Sequence, residues 1–277
     1  MPQIINTNIL SMTAQSNLNK TQTSLATSVQ RLSSGLRINS AMDDPAGLAI
    51  SMRMGSQVGG MNVAVRNAND AISLSQVADG TLGTVGDMLQ QMRDLAVQAA
   101  NGTNGSGDLA NLQTEFTSLS AEITRELSQT TFNGIAVLGS GAGANSYQVG
   151  ANAGQSITLT TTNMASNSAV TTVTGNSTAL ALGTTNASAM ITSIDSALSA
   201  INTERANYGA DESEFQNVIT NLTTGVTNQS AAESRIRDAD YATETSNLTR
   251  AQILQQAGTA MLAQANALPQ SVLSLLK

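Results

Sequence analysis

Cysteine, histidine and tryptophan are absent from this 277-residue chain, and aromatic residues make up only 2% of it. Without cysteine or histidine there is no disulfide, no thiolate or imidazole metal site, no cysteine nucleophile and no triad that depends on histidine. Only two lysines occur, Lys20 and Lys277. Enzyme chemistry would have to run on a Ser–Lys or a carboxylate pair, and no catalytic, cofactor-binding or metal-binding residue is assigned. Asp43-Asp44, two adjacent carboxylates with no further ligands, read as a cap or kink in a connector rather than a metal site. Long apolar runs are missing as well: none approaches the ~18–20 residues of a transmembrane helix. The start, MPQIINTNIL, has no basic region followed by an apolar stretch and a small-residue cleavage site, so a cleaved signal peptide is not expected. Charged residues are only 11% of the chain and its pI is about 4.5, which argues against nucleic-acid binding.

What is present is polar, uncharged and aliphatic. Ser, Thr, Asn and Gln together make 39% of the chain, beside 40% hydrophobic residues. That apolar fraction permits a core, which with so few rings must be built from Leu, Ile, Val, Ala and Met. The net charge of −7 is unevenly spread. Residues 1–42 hold Lys20, Arg31 and Arg37 and no acid, and 245–277 hold Arg250 and Lys277 and no acid. All 19 acids lie between them, and 127–194 carries no charge of either sign. Three charge regimes suggest three environments.

Both acid-free ends have seven-residue apolar repeats. Leu18, Leu25 and Leu32 recur every seven residues, with Val29 and Leu36 four positions after Leu25 and Leu32. Near the other end Leu254, Met261, Leu268 and Leu275 do the same, preceded by Ala251, Gly258, Ala265 and Val272 three positions earlier. Each pattern is a coiled-coil seam. Two amphipathic helices of one globular core would explain either alone; two matched acid-free seams favour arms that pair with each other. Short isolated helices are marginal in water. Off-seam residues such as Ile4, Ile5, Ile9, Leu10, Met12, Ile253, Leu262, Leu273 and Leu276 have no obvious place of burial in a monomer. Copies of the same arms from neighbouring chains would supply one.

Between the arms, 33–50 reads as an extended connector broken by Gly35, Asn39 and Asp43-Asp44-Pro45. Three- and four-residue steps predict a long helix over about 57–100, a second over about 108–129 with Asp108 as N-cap, and a third over about 187–232, with Arg205 and Glu212 as polar exceptions in its stripe. Asn133-Gly134 between apolar residues predicts a hairpin. Alternation at 156–160 and 170–174 predicts short strands, so the uncharged zone is a small β region, a modified loop, or both.

The sequence resembles the bacterial flagellins. The resemblance rests on INTNI (5–9), RLSSGLRINSA (31–41), DDPAGLAI (43–50), RNANDAISL (66–74), MRDLAVQAANGT (92–103), FNGIAVL (132–138), SRIRDADYATE (234–244) and TRAQILQQAGTAMLAQANALPQSVLSLL (249–276). It implies a mainly α, elongated helical rod. Terminal coiled-coil arms (1–42 with 240–277, the inner D0) join a helical-bundle body with a β-hairpin (43–140 with 188–239, D1) and a small variable β-rich outer region (141–187). It further implies an extracellular subunit of the flagellar filament, exported unfolded by the type III apparatus, that polymerises through its terminal helices. Leu18, Leu25, Val29, Leu32, Leu36, Leu254, Met261, Leu268, Val272 and Leu275 would be the assembly residues. The implied partners are further copies of the chain, an export chaperone, the filament cap and hook-junction proteins. Animal Toll-like receptor five is another, through a motif resembling Leu89, Gln90, Gln91, Arg93 and Leu95, although Gln91 stands where strong binders carry Arg. Met42, Pro45 and Gly59 depart from the family pattern, and the acids Asp211, Glu212 and Glu214 would either repel neighbouring bodies or pair with their arginines. A hook–filament junction protein and a surface adhesin, its β region binding on a helical stalk, are the alternatives. No cofactor and no membrane insertion are expected.

Overall fold

The computed structural model describes residues 7–175 and 184–275, the side chains of Thr184 and 269–275 excepted. Six helices and two small antiparallel hairpins follow in the order α1 (Ile9–Ser34), α2 (Pro45–Ala99), α3 (Ser106–Gln129), β1 (Thr131–Phe132), β2 (Ile135–Ala136), β3 (Ala144–Gln148), β4 (Ser156–Thr160), α4 (Ser168–Thr174), α5 (Thr184–Arg237) and α6 (Tyr241–Leu275). The chain divides into two compact units, 1–56 with 228–277, and 57–227.

In the first unit α1 starts where Asn8 accepts from the Ser11 amide and stops at Gly35, whose φ of 72° places it in the left-handed region that glycine tolerates. The extended connector expected over 33–50 is shorter than that. Pro45 begins α2, because its fixed φ suits the first helical position and its missing N–H costs nothing there. Asp44 Oδ1 accepts from the Gly47 amide at 2.9 Å and caps this start. Asp43 Oδ2 gathers the amides of Asn39 and Ser40 and the Ser40 hydroxyl within 3.1 Å. These hydrogen bonds, that of the Ser40 amide foremost, hold the Asp43 carboxyl below its usual 3.8.

The second unit is an aliphatic core. α2 contributes a stripe of mixed small and large residues, from Ala64 and Ala68 through Leu82 and Leu89 to Ala96 and Ala99. Glycines 80, 83 and 86 do not interrupt it, since neighbouring packing offsets the ~1 kcal/mol each costs in an exposed helix. α3 adds Phe116, Ile123 and Leu127. Its N-cap is Gly105, and the expected cap, Asp108, sits three residues inside, where its carboxylate accepts from the Gly105 amide at 3.0 Å. The β1–β2 hairpin turns at Asn133-Gly134, with φ values of 49° and 81°. Both lie in the left-handed region that a two-residue turn of this kind demands.

β3 and β4 pair with Tyr147 opposite Ile157 and Asn145 opposite Leu159. This hairpin lies on α5, where the Tyr147 ring meets Phe215 edge to face at 5.9 Å. It also lies on α2: a Cβ at Gly60 would stand 2.9 Å from the Ala151 Cβ, so only glycine fits. The strand expected at 170–174 is a helix instead. Asn167 accepts from the Ala169 amide and starts it, and Val170 and Val173, three apart, are both buried. Residues 144–175 thus contribute Leu159, Met164, Val170 and Val173 to the same core as α2, α3 and α5.

In α5 the polar residue within the buried stripe is Glu204, not Arg205. Asn207 donates to it at 3.3 Å. Arg205 points outward to Asp79 at 2.8 Å.

Candidate assembly interface

In the terminal unit α1 and α6 run antiparallel, tied by hydrogen bonds at both ends. Asn8 Nδ2 donates to the Ala265 carbonyl at 2.8 Å and the Ser11 hydroxyl to Asn266 at 2.7 Å. At the opposite end Ser28 and Arg31 donate to the two oxygens of Glu244 at 3.1 and 3.0 Å, and Tyr241 donates to the Leu32 carbonyl at 3.1 Å. The Leu36–Asp238 bridge and the Ala239 amide on the Gly35 carbonyl close this end. Glu244 is buried, an unusual place for a carboxylate, and its two donors make the burial tolerable.

Heptad repeats do form the contact between the arms, but of the ten expected residues Leu18, Leu25, Leu32 and Leu36 are half-buried while Val29, Leu254, Met261 and Leu268 are exposed. On α1 the covered line is Ala14, Leu18, Thr21, Leu25, Ser28 and Leu32. Leu18, Leu25 and Leu32 are therefore at the seam. Its companion row is Ala14, Thr21 and Ser28, and Val29 is 50% exposed. On α6 the covered line is Glu244, Leu248, Ala251, Gln255, Gly258, Leu262 and Ala265. The small row Ala251, Gly258 and Ala265 is at the seam as expected. Leu254 and Met261, expected to share it, are 51% and 63% exposed, and Leu268 also faces out. Val272 and Leu275 carry side chains outside the described residues. Close approach explains the choice: a Cβ on Gly258 would lie 3.2 Å from Leu18 Cδ1.

The seam leaves other large apolar side chains of the arms outside it: Val29, Leu254 and Met261, with Ile9, Leu10, Met12 and Ile253, are all exposed in the single chain. A groove of about 680 Å³ runs beside Leu254, lined by Lys20, Thr27, Arg31, Glu244 and Arg250. The only acid in it is Glu244, already engaged by Arg31 and Ser28.

The receptor-like motif lies in the other unit. Leu89 is wholly buried in the core, Leu95 is half-buried, and Gln90 and Gln91 are exposed. Arg93 pairs with Asp195 of α5 at 2.8 Å, which raises its pKa further. The 3.6-residue period separates core from surface in this segment, putting Leu89, Met92 and Ala96 on one line. Of the three acids left open by the sequence, Asp211 is pushed up by burial and then by Glu214 and Glu204, and Glu212 by burial and then by Asp79.

Comparison with known proteins agrees with these features. The family model described as the bacterial flagellin N-terminal helical region matches residues 5–142, and the one described as the C-terminal helical region matches 191–276. A flagellin of Halalkalibacterium halodurans is 43% identical over 99% of this chain and all of its own length. One of Serratia marcescens is 40% identical with both chains fully covered. Among solved structures, Bacillus cereus flagellin has 32% identity and a TM-score of 0.50 over 61% of this chain and 94% of its own. A putative flagellar hook-associated protein from Vibrio parahaemolyticus, 13% identical, shares the fold with a TM-score of 0.62 over 71% of this chain and all of its own. No helix among the described residues is long and apolar enough to cross a membrane. Arms, hairpin-bearing body and these similarities converge: the chain belongs to the bacterial flagellins, a structural and not enzymatic family of extracellular flagellar filament proteins.

Proposed function

We propose that this chain is a filament subunit for swimming motility that polymerises through its terminal helices after export in an unfolded state by the type III apparatus. The observation that carries the reading is the set of large apolar side chains that the arms leave outside their seam, Val29, Leu254 and Met261 among them. The intramolecular seam leaves these side chains in water, and identical arms of neighbouring subunits are the surface that matches them in chemistry and supply. Identical subunits joined through unlike surfaces build an open helical array when the rotation between neighbours does not close. In that array 1–42 with 240–277 form the inner arms, 43–140 with 188–239 the body, and 141–187 the outward region.

An export chaperone would hold the arms before assembly, and cap and hook-junction proteins would meet the same surfaces at the filament ends. Toll-like receptor five would meet the 89–95 segment through Gln90, Gln91, Arg93 and the exposed part of Leu95, with Leu89 supporting from the core.

Purified chain seeded with short fragments of its own polymer tests the proposal under the electron microscope. Uniform tubes, lost on deletion of 1–42 and 245–277, are expected. A truncated chain that still elongates seeds would refute assembly through the arms. Persistent monomers of the full chain would favour the adhesin or junction alternatives.

A further inference from the structure

The eleven methionines are the only sulfur in the chain; among the described ones the four exposed all lie in the terminal unit, while Met54 there and Met61 of the 57–227 unit are half-buried. Met88, Met92, Met164 and Met190 of the 57–227 unit are all buried. Met12, Met42, Met52 and Met261 of the terminal unit are all exposed, Met42 by 92%. Two of the exposed ones lie on the arm helices outside the seam: Met12 on α1, beside Gln15, Ser16 and Asn19, and Met261 midway in the seven-residue row from Leu254 to Leu268 on α6.

We propose that Met12 and Met261 form an oxidation-sensitive gate on assembly. This rests on the filament reading above. A peroxide is the oxidant. The thioether sulfur attacks one peroxide oxygen, the O–O bond breaks, the sulfur is oxidised by two electrons to the sulfoxide, and the peroxide is reduced and leaves as water. The product carries a strong hydrogen-bond acceptor in place of a polarisable apolar atom. In the free chain water solvates it. In an arm-to-arm contact it must give up that water, which costs free energy wherever the covering side chains of the neighbour are aliphatic. The absence of cysteine means no thiol competes for the oxidant, and burial shields the core methionines, so the folded body survives a dose that modifies the arms. Sulfoxide reductases reverse the change.

The test treats the free full-length chain with graded hydrogen peroxide. Peptide masses then report each methionine, and seeded sedimentation reports the concentration at which polymer forms. Met12 and Met261 should oxidise well before Met88, Met92, Met164 and Met190. The critical concentration should rise roughly tenfold or more, as expected when a buried sulfoxide replaces a thioether. Reductase treatment should reverse it, and the paired substitution Met12→Leu and Met261→Leu should assemble normally before and after peroxide. Equal oxidation of core and arm methionines would overturn the selectivity. Normal assembly of chains fully oxidised at both positions, or unchanged peroxide sensitivity of the leucine variant, would overturn the gate alone. A reduced chain that never elongates seeds would overturn the filament reading and the gate together.

Discussion

Truncating the outward row of α6 while leaving the inward row intact separates assembly from folding. Full burial of a Leu or Met side chain contributes about 1.5–3 kcal/mol. Leu254 and Met261 are 51% and 63% exposed in the single chain, so roughly half of that, about 0.7–1.5 kcal/mol each, remains to be gained when a neighbour covers them. Replacing both by Ala should forfeit most of it, about 1.5–3 kcal/mol per subunit, which raises the critical concentration about 10- to 100-fold. Sedimentation of seeded reactions over a concentration series measures this directly. Hydrogen exchange in the 57–227 unit should not change, because neither residue touches that core. Leu25→Ala serves as the contrast: it removes an inward contact and should weaken the α1–α6 pair itself. An unchanged critical concentration for the Leu254→Ala, Met261→Ala variant would refute the assignment of this face to subunit contact.

Three further expectations follow from local geometry. Glu244→Ala leaves the partly buried Arg31 and the Ser28 hydroxyl without their acceptor, so hydrogen exchange across α1 in assembled material should accelerate by the equivalent of about 2–3 kcal/mol, and protection equal to wild type would contradict the burial argument. Phe116→Ala empties a fully buried ring site on α3 and should cost about 3–5 kcal/mol in urea unfolding; a loss below ~1 kcal/mol would mean that the α3 face is not core. Acid acts oppositely on two sets of carboxylates. Asp211 and Glu212 hold their protons more tightly folded than unfolded, so their stabilisation is present at low pH and fades as pH rises through their folded values, and exchange in the 57–227 unit should slow on acidification towards 4.5. Asp43 and Asp240 are depressed by hydrogen bonds, the latter chiefly from the Thr243 hydroxyl; their contribution is present above 3.8 and lost as pH falls through their lower folded values, so the 39–44 and 240–243 turns should open only in strong acid. Uniform acid sensitivity of both sets would refute this division.

Much of the molecule was legible in the sequence because the signals are local. Asn133-Gly134 demands left-handed backbone at two successive positions, and few other chain geometries accept that, so the hairpin needed no tertiary help. The long 3–4 stripes of α2, α3 and α5 likewise declared helices whose apolar side must be covered. Elsewhere a local pattern had two solutions. Asp43-Asp44-Pro45 can break a chain or start a helix, and the Gly47 amide on Asp44 selects the start. Val170 to Thr174 is compatible with alternation or with an i, i+3 pair, and Asn167 as cap together with a buried site for both valines selects the helix.

The sequence by itself determined that both arms are helices with seven-residue apolar repeats and no acids in the repeats. Only the tertiary structure decided which side of each helix turns inward. The more apolar row of α6, Leu254 to Leu268, would have been chosen on hydrophobicity alone. Yet Glu244 must reach Arg31 and Ser28, and Gly258 must admit Leu18, and both lie on the other face. A buried carboxylate needs its donors and a close helix contact needs small residues. Those two requirements rotate α6 so that Leu254, Met261 and Leu268 remain outside, where we assign them to contacts with neighbouring subunits.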